Sequence, residues 1–270
     1  MRKQIAFPVI LSCGMLLLAQ AAFAAQPDVN ASSIIEHHAD KTLVGRVYSK
    51  DSKKPQLLYT FKRTAHRDGP LLNVVRTYSY PDGRVAAVEK ATYRDGNLVS
   101  YTLDEKQINA HGSLKIDGNA LAGKGTVHFS YTDKGNTKTG NEQLSGPTVI
   151  NDDITAYMQA HWNELMAGKT LNVRYLVIPR QETVGFSLSK SGEDNWNGRQ
   201  VVNVKMDPSS FFIGLLVDPV YFTFDKNTGE IIQYTGRTTP MIKKDGDWKP
   251  LDAVTALQWV PADGGQPNAS

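Results

Sequence analysis

The sequence predicts an all-β fold: an antiparallel meander that forms a curved sheet or an open barrel, with one helix packed across it. Apolar and polar residues alternate with a period of two along many short segments, as in strands with one buried face. Asp-Gly pairs recur between these segments and predict tight turns. No helices alternate with the strands, which disfavours a parallel α/β sheet.

The clearest predicted hairpin has Asp95-Gly96 at its turn, because these residue types accept the positive φ angles of a type I′ turn. Residues 85–93 enter this hairpin and residues 98–103 leave it. Further Asp-Gly pairs lie at 68–69, 82–83, 117–118 and 245–246, and period-two alternation recurs at 127–131, 171–177, 202–206 and 220–224. These repeats predict strands on both sides of the helix.

The single predicted helix covers about residues 152–167, with Asn151 or Asp152 as its N-cap and Gly168 as its stop. Its stripe at helical spacing comprises Ile154, Tyr157, Met158, His161, Trp162, Leu165 and Met166. The helix divides the strands into an earlier set (43–146) and a later set (170–238). We interpret the two sets as halves of one curved sheet.

The first 24 residues have the pattern of a secretory signal peptide. Arg2 and Lys3 precede an apolar stretch over 5–18, and Ala22-Phe23-Ala24 offers a cleavage site. This pattern predicts a periplasmic protein without a membrane span in its mature chain. A lipid on Cys13 is the alternative, but residues 15–18 are apolar where a lipidated terminus needs a polar tether. The predicted organisation is a signal peptide (1–24), an N-terminal segment (25–42), a single antiparallel β domain (43–260) and a disordered tail (261–270).

Composition excludes several classes of function. Cys13 is the only cysteine of the chain, so the mature protein has no disulfide and no cysteine-ligated metal. Without the two basic residues of the signal, 28 basic residues stand against 27 acidic ones. This balance argues against a nucleic-acid partner, which requires a basic excess.

No motif assigns a catalytic residue, a metal site or a cofactor. Adjacent side chains in the segment His37-His38-Ala39-Asp40 point in different directions, so they do not converge on a metal. His161 and Glu164 have the spacing of only one half of a di-metal site. The sequence has no G-x-S-x-G elbow and no phosphate loop in a strand-to-helix context. Enzymatic activity is therefore not expected, although a triad assembled from distant residues stays open.

The most apolar stretch of the mature chain lies between Pro208 and Pro219, at residues 211–217. A connection of this composition between two prolines must be buried, dock on a membrane or line a cavity. It is either a plug at one end of the sheet or the lip of a pocket for an apolar ligand. The predicted ligand-binding residues are Phe211, Phe212, Leu215, Leu216, Tyr221 and Trp162.

Residues 216–225 and 228–236 resemble the C-terminal hairpin of an uncharacterised family of secreted proteobacterial β-rich proteins. This resemblance implies a fold and a compartment but no activity. The plan of a curved sheet with a covering helix is also similar to that of periplasmic lipoprotein carriers and other lipid-binding half-barrels. Fold alone does not establish function.

These observations favour non-catalytic binding of a hydrophobic or amphipathic ligand, such as a lipid or an acyl chain. Two alternatives stay open: an envelope module that binds another protein, and an unrecognised hydrolase. A concave position of residues 211–216 favours the binder, and an exposed position favours the module. The hydrolase requires His, Asp or Glu side chains that converge in a cleft, for example His161 with Glu164.

Overall fold

The computed structural model describes residues 31, 34–35, 38–50, 53–210 and 218–262. The strands are β1 (Lys41–Ser49), β2 (Leu57–Asp68), β3 (Leu71–Ser79), β4 (Val85–Arg94), β5 (Asn97–Glu105), β6 (Ala110–Asn119), β7 (Lys124–Asp133), β8 (Asn136–Gln143), β9 (Thr148–Val149), β10 (Leu171–Val177), β11 (Glu182–Trp196), β12 (Arg199–Pro208), β13 (Val220–Asp225), β14 (Ile231–Lys244) and β15 (Asp247–Pro261). The helices are α1 (Ile154–Ala160) and α2 (Trp162–Met166), with 3-10 helices at His38–Asp40 and Ile178–Arg180. Among the described helices, none has the length and apolar character to cross a membrane.

The fifteen strands form one sheet, which confirms the predicted antiparallel curved sheet. Their order is β8-β7-β6-β5-β4-β3-β2-β1-β15-β14-β13-β12-β11-β10-β9. Neighbours are antiparallel except β9 and β10, which are parallel. The first strand pairs with the last, from Lys41 opposite Pro261 to Ser49 opposite Ala253. This pairing joins the earlier and later strands into one surface.

The sheet does not close into a hydrogen-bonded barrel, but its two ends approach each other through side chains. Glu142, on the edge strand β8, accepts a hydrogen bond from the Thr183 backbone N–H of β11 at 2.6 Å. The same carboxylate forms an ion pair with Arg174 of β10 at 3.2 Å. The curvature therefore brings β8 beside β10 and β11, and the concave face encloses an interior.

The turn prediction was correct at Asp95-Gly96, where both residues have positive φ angles of 51° and 70°. It was wrong at Asp117-Gly118, which lies inside β6. Gly118 instead faces Gly125 of β7, and a Cβ atom on Gly118 would lie 2.7 Å from the Gly125 Cα atom. Glycine is needed there because the two backbones approach closely.

The predicted helix at 152–167 is divided into α1 and α2 at His161, whose φ and ψ angles are −105° and 23°. The His161 Nδ1 atom lies 2.9 Å from the Tyr157 carbonyl, which also accepts the His161 backbone N–H. This side chain competes for a helix carbonyl, a known cause of local distortion. The residue before α1 is Asp153, so neither predicted N-cap takes that position.

The helices pack over the later half of the sheet. Ile154, Tyr157, Met158 and Leu165 are buried in one apolar cluster with residues of β10–β13, such as Leu188. A second cluster fills the earlier half, and a third lies beneath β1, β2 and the start of β15. The concave face between these clusters contains the cavity.

Candidate ligand-binding cavity

A cavity of about 590 Å³ lies on the concave side of the sheet. Strands from both halves line it, because β1 and β15 connect the halves through the middle of the sheet. Its apolar lining includes Leu43, Phe61, Leu103, Val184, Phe186 and Phe222. All six of these residues are buried, and the cavity has the size found for small-molecule sites.

The mouth of the cavity lies at one end of the sheet. Pro179 and Arg180, in the connection between β10 and β11, line the cavity and are exposed to solvent. Pro250, near the start of β15, also lines the cavity and is exposed to solvent. Met206 and Val220 also line the cavity, and they stand near the ends of β12 and β13 that residues 209–219 connect.

A buried ionic network forms the polar part of the lining. Arg63 binds Asp152 through two contacts, Nε to Oδ1 at 2.7 Å and Nη2 to Oδ2 at 3.1 Å. Tyr93 donates its hydroxyl to Oδ2 at 3.2 Å. Burial alone would raise the pKa of Asp152, but the charge and hydrogen bonds of Arg63 lower it below the ordinary value. Asp152 is therefore ionised in the folded protein at neutral pH.

A second ion pair adjoins the first. Arg76 Nε lies 2.9 Å from Glu89 Oε2, and Arg76 Nη1 lies 3.4 Å from Asp152 Oδ1. Glu89 also accepts hydrogen bonds from Asn151 Nδ2, at 2.9 Å, and from the Thr239 hydroxyl. Burial would lower the pKa of Arg76, but Tyr78, Glu89 and Asp152 raise it well above its ordinary value. The network thus contains two cations and two anions in contact.

Strand pairing places three of these charges side by side. Arg63 of β2 is opposite Arg76 of β3, and Arg76 is opposite Glu89 of β4. Each follows the period of its strand's buried residues: Arg63 comes two residues after Phe61, and Glu89 two after Ala87. These three charges were not among the residues predicted from the sequence, although a charged residue in phase with a buried face is a detectable signal.

Asp153 is buried beside the network without a basic partner. Its Oδ1 atom accepts the Ile150 backbone N–H at 2.8 Å, and its Oδ2 atom has no hydrogen-bond partner among the described residues. Burial raises the pKa of Asp153 well above the ordinary value, and the Asp152 charge adds to this. The carboxyl group is therefore held in its protonated form more strongly than an exposed aspartate.

The predicted ligand-binding residues have different positions. Phe211, Phe212, Leu215 and Leu216 lie outside the described residues. Trp162, in α2, packs edge-on against Phe224, with ring centroids 5.4 Å apart. Tyr221 is 39% exposed. Neither Trp162 nor Tyr221 lies among the residues that line the cavity, so their role in binding stays a prediction.

The histidine candidates do not converge on a site. His161 contacts Tyr157, and Glu164 forms an exposed ion pair with Lys169 at 3.3 Å. His38 stacks on Trp259 with ring centroids 4.2 Å apart, whereas His37 is outside the described residues. In the described part of the chain, no group of three His, Cys, Asp or Glu side chains is placed to hold a metal ion.

No protein-family model and no curated protein matches the sequence. Among solved structures, the chain is similar to a β-barrel-like protein of the domain of unknown function DUF1849 from Brucella abortus. That alignment has a TM-score of 0.38 and 11% identity, and it covers 83% of this chain and 97% of that one. The TM-score and the identity are both low.

Two further structures align over most of the chain. One is a putative outer membrane lipoprotein-sorting protein domain from Vibrio parahaemolyticus, with a TM-score of 0.28, 8% identity and coverage of 88% of this chain and 93% of that one. The other is a DUF1329 family protein from Desulfovibrio piger, with a TM-score of 0.28, 10% identity and coverage of 85% and 88%.

Proposed function

We propose that the protein is a non-catalytic periplasmic binder of a hydrophobic or amphipathic ligand, such as a lipid or an acyl chain. The observation that carries this proposal is the cavity of about 590 Å³ on the concave face, with its apolar lining and its mouth at one end of the sheet. An acyl chain would gain about 0.8 kcal/mol for each methylene that it buries. The predicted signal peptide supports the periplasmic location.

The charged groups of the cavity support binding over catalysis. The carboxylates of Asp152 and Glu89 are in ion pairs with Arg63 and Arg76, so each charge has its counter-charge within the protein. A general acid or base must instead be free to reach a substrate proton. The network therefore serves to support the cavity wall and to add polar character to one part of it.

Native mass spectrometry of the mature protein from Ala25, purified without detergent, tests the proposal. A reproducible bound lipid, identified after organic extraction, is the expected result. Thr155→Trp, on the cavity side of α1, should fill the space and abolish ligand retention, because Thr155 lines the cavity. Asn163→Trp, at an exposed position of α2, is the matched control and should retain the ligand.

A ligand-free protein that takes up nothing from added lipid extract would overturn the proposal. The protein-interaction module would then be the better hypothesis, and crosslinking in the cell envelope would identify the partner. Retention of the lipid by both tryptophan variants would place the binding site outside this cavity.

A further inference from the structure

Tyr101 carries the one tyrosine hydroxyl in the described cavity lining that has no hydrogen-bond partner among the described residues. The three other lining tyrosines are partnered. Tyr175 donates to Asn151 Oδ1 at 2.5 Å, Tyr234 donates to the Arg237 carbonyl, and Tyr78 lies 3.4 Å from Arg76 Nη2. The Tyr101 hydroxyl is therefore free to donate a hydrogen bond to a ligand group that accepts one inside the cavity.

The Tyr101 hydroxyl is held as a donor. Its side chain is only 5% exposed, and it lies on β5 with Leu103 and Glu105, which line the cavity too. Burial raises the pKa of Tyr101 well above its ordinary value, and the nearby Glu89 charge raises it further. The hydroxyl therefore keeps its proton under physiological conditions.

The cations of the described lining are all paired. Arg63 pairs with Asp152 at 2.7 Å, Arg76 with Glu89 at 2.9 Å, Arg180 with Glu182 at 2.6 Å and Arg237 with Asp252 at 3.0 Å. An anionic ligand group deep in the cavity would have to displace a carboxylate from Arg63 or Arg76, whose side chains are 4% and 13% exposed. Buried charges without a partner are strongly unfavourable, so a carboxylate or phosphate group is a poor occupant.

Glu105 makes the lining still less suitable for an anion. It lines the cavity, accepts the Tyr131 hydroxyl at 2.9 Å and has no basic partner among the described residues. Burial raises its pKa. The lining therefore offers an anionic group no unpaired basic partner, whereas an uncharged acceptor beside Tyr101 needs none.

We propose that the cavity selects acyl esters, and that the ester carbonyl accepts a hydrogen bond from the Tyr101 hydroxyl while the acyl chain contacts the apolar lining. An ester joins an apolar chain to an uncharged acceptor, which are the two properties that this lining requires. The inference rests on the proposed function, and it names Tyr101 as a residue that determines specificity.

The test compares four ligands of equal chain length by displacement of the fluorescent probe N-phenyl-1-naphthylamine: methyl dodecanoate, dodecanoate, dodecylamine and dodecane. The wild-type protein should bind the ester most tightly. Tyr101→Phe should weaken ester binding by about five- to tenfold, the effect of one lost hydrogen bond, and leave dodecane binding unchanged. Tyr48→Phe removes the hydroxyl of a half-buried tyrosine that does not line the cavity, and it should change neither affinity.

Tyr101→Phe should also leave the thermal midpoint unchanged or raise it, because the hydroxyl has no partner to lose in the free protein. If Tyr101 had a purely structural role, Tyr101→Phe would lower the thermal midpoint and would change the affinities for the ester and for dodecane equally. Equal or tighter binding of dodecanoate or dodecylamine, or an unchanged ester affinity in Tyr101→Phe, would overturn the ester proposal alone. Failure of all four ligands to bind the wild-type protein would overturn the proposed function as well.

Discussion

Arg63 and Asp152 are among the most deeply buried charges of the described chain, with side-chain exposures of 4% and 0%. Taking two charges out of water is costly, and two well-aligned hydrogen bonds offset that cost only while both partners are present. Asp152 comes from the segment before α1, whereas Arg63 comes from β2. The pair therefore fixes this segment against the earlier half of the sheet.

Replacement of Asp152 by asparagine should destabilise the protein by about 3–5 kcal/mol, because Arg63 is left as an uncompensated buried charge. The free energy of unfolding from urea titration measures this loss. Asp82→Asn removes a carboxylate from the exposed pair with Arg84 and is the control. Equal urea midpoints for the two variants would show that the buried pair does not fix the segment.

Asp153 should make stability fall as the pH rises. Its pKa is raised in the folded protein, so the native state keeps a proton that the unfolded chain releases above about pH 3.9. Asp153→Asn cannot lose a proton, yet its side-chain oxygen can still accept the Ile150 N–H. The stability of this variant relative to wild type should therefore be greater at pH 8 than at pH 5. Parallel pH profiles in chemical denaturation would contradict this assignment.

The charged network was predictable in part from the sequence. Glu89 lies on the predicted strand 85–93 and Arg63 lies in the predicted strand region 43–146. Each is in phase with apolar neighbours, which marks them as inward-facing. Their partners were not predictable, because Asp152 is 89 residues from Arg63 along the chain. Nor did the sequence indicate which tyrosine hydroxyl would lack a partner, since that depends on side-chain geometry across several strands.

At the scale of the elements, glycine is needed for two different reasons. One is a positive φ angle in a turn, and the other is the close approach of two backbones. Asp245-Gly246 is a turn with two positive φ angles of 52° and 87°, and open space surrounds a Cβ atom on Gly246. Gly125, near the turn end of the β6–β7 pair, also has a positive φ angle, of 110°. A Cβ atom on Gly125 would lie 2.1 Å from the Asp117 carbonyl oxygen.

Gly125→Ala should therefore destabilise the protein more than Gly246→Ala. Both variants incur a cost of about 1–2 kcal/mol for a positive φ angle in a residue with a Cβ atom. Only Gly125→Ala adds a clash with backbone, so the β6–β7 pairing has to shift. Thermal midpoints of the two variants provide the comparison, and equal losses would show that β6 and β7 separate without cost.

The helix prediction shows which feature of a helix the periodicity of the sequence does not determine. Residues 154–166 have helical spacing throughout, and the pattern does not change where His161 interrupts the helix. At the interruption, the His161 side chain contacts the Tyr157 carbonyl, a detail that periodicity does not predict. Similarly, Asn151 and Asp152 are good N-cap residue types, but their side chains bind Glu89 and Arg63 in the folded protein. Tertiary contacts override the local preference.

At the scale of the whole molecule, the pairing of β1 with β15 and the approach of β8 to β11 produce the cavity. Period-two patterns predict strands and a curved antiparallel sheet, but they contain no information on which strands meet at its two ends. Phe61 and Tyr101 come from one half of the sheet, and Phe186 and Phe222 from the other. The cavity therefore depends on how the halves are held together.

Glu142 is the side chain best placed to hold the two ends of the sheet. Its carboxylate accepts the Thr183 N–H at 2.6 Å and the Thr183 hydroxyl at 2.5 Å, and it pairs with Arg174. Hydrogen bonds to a charged group are stronger than those between neutral groups. The Glu142 side chain thus connects β8 to β11, which have no backbone strand pairing with each other.

Glu142→Ala should let the two ends of the sheet separate more often. Hydrogen exchange at the Thr183 amide should accelerate by about tenfold or more, because this N–H loses its acceptor and about 1.4 kcal/mol corresponds to a factor of ten. Glu142→Gln keeps an acceptor oxygen and should have an intermediate rate. Glu164→Ala removes an exposed carboxylate of α2 and should leave the Thr183 rate unchanged. If the Thr183 amide of Glu142→Ala exchanges at the wild-type rate, the Glu142 contacts do not hold the two ends of the sheet together. Other contacts in the interior would then have this role.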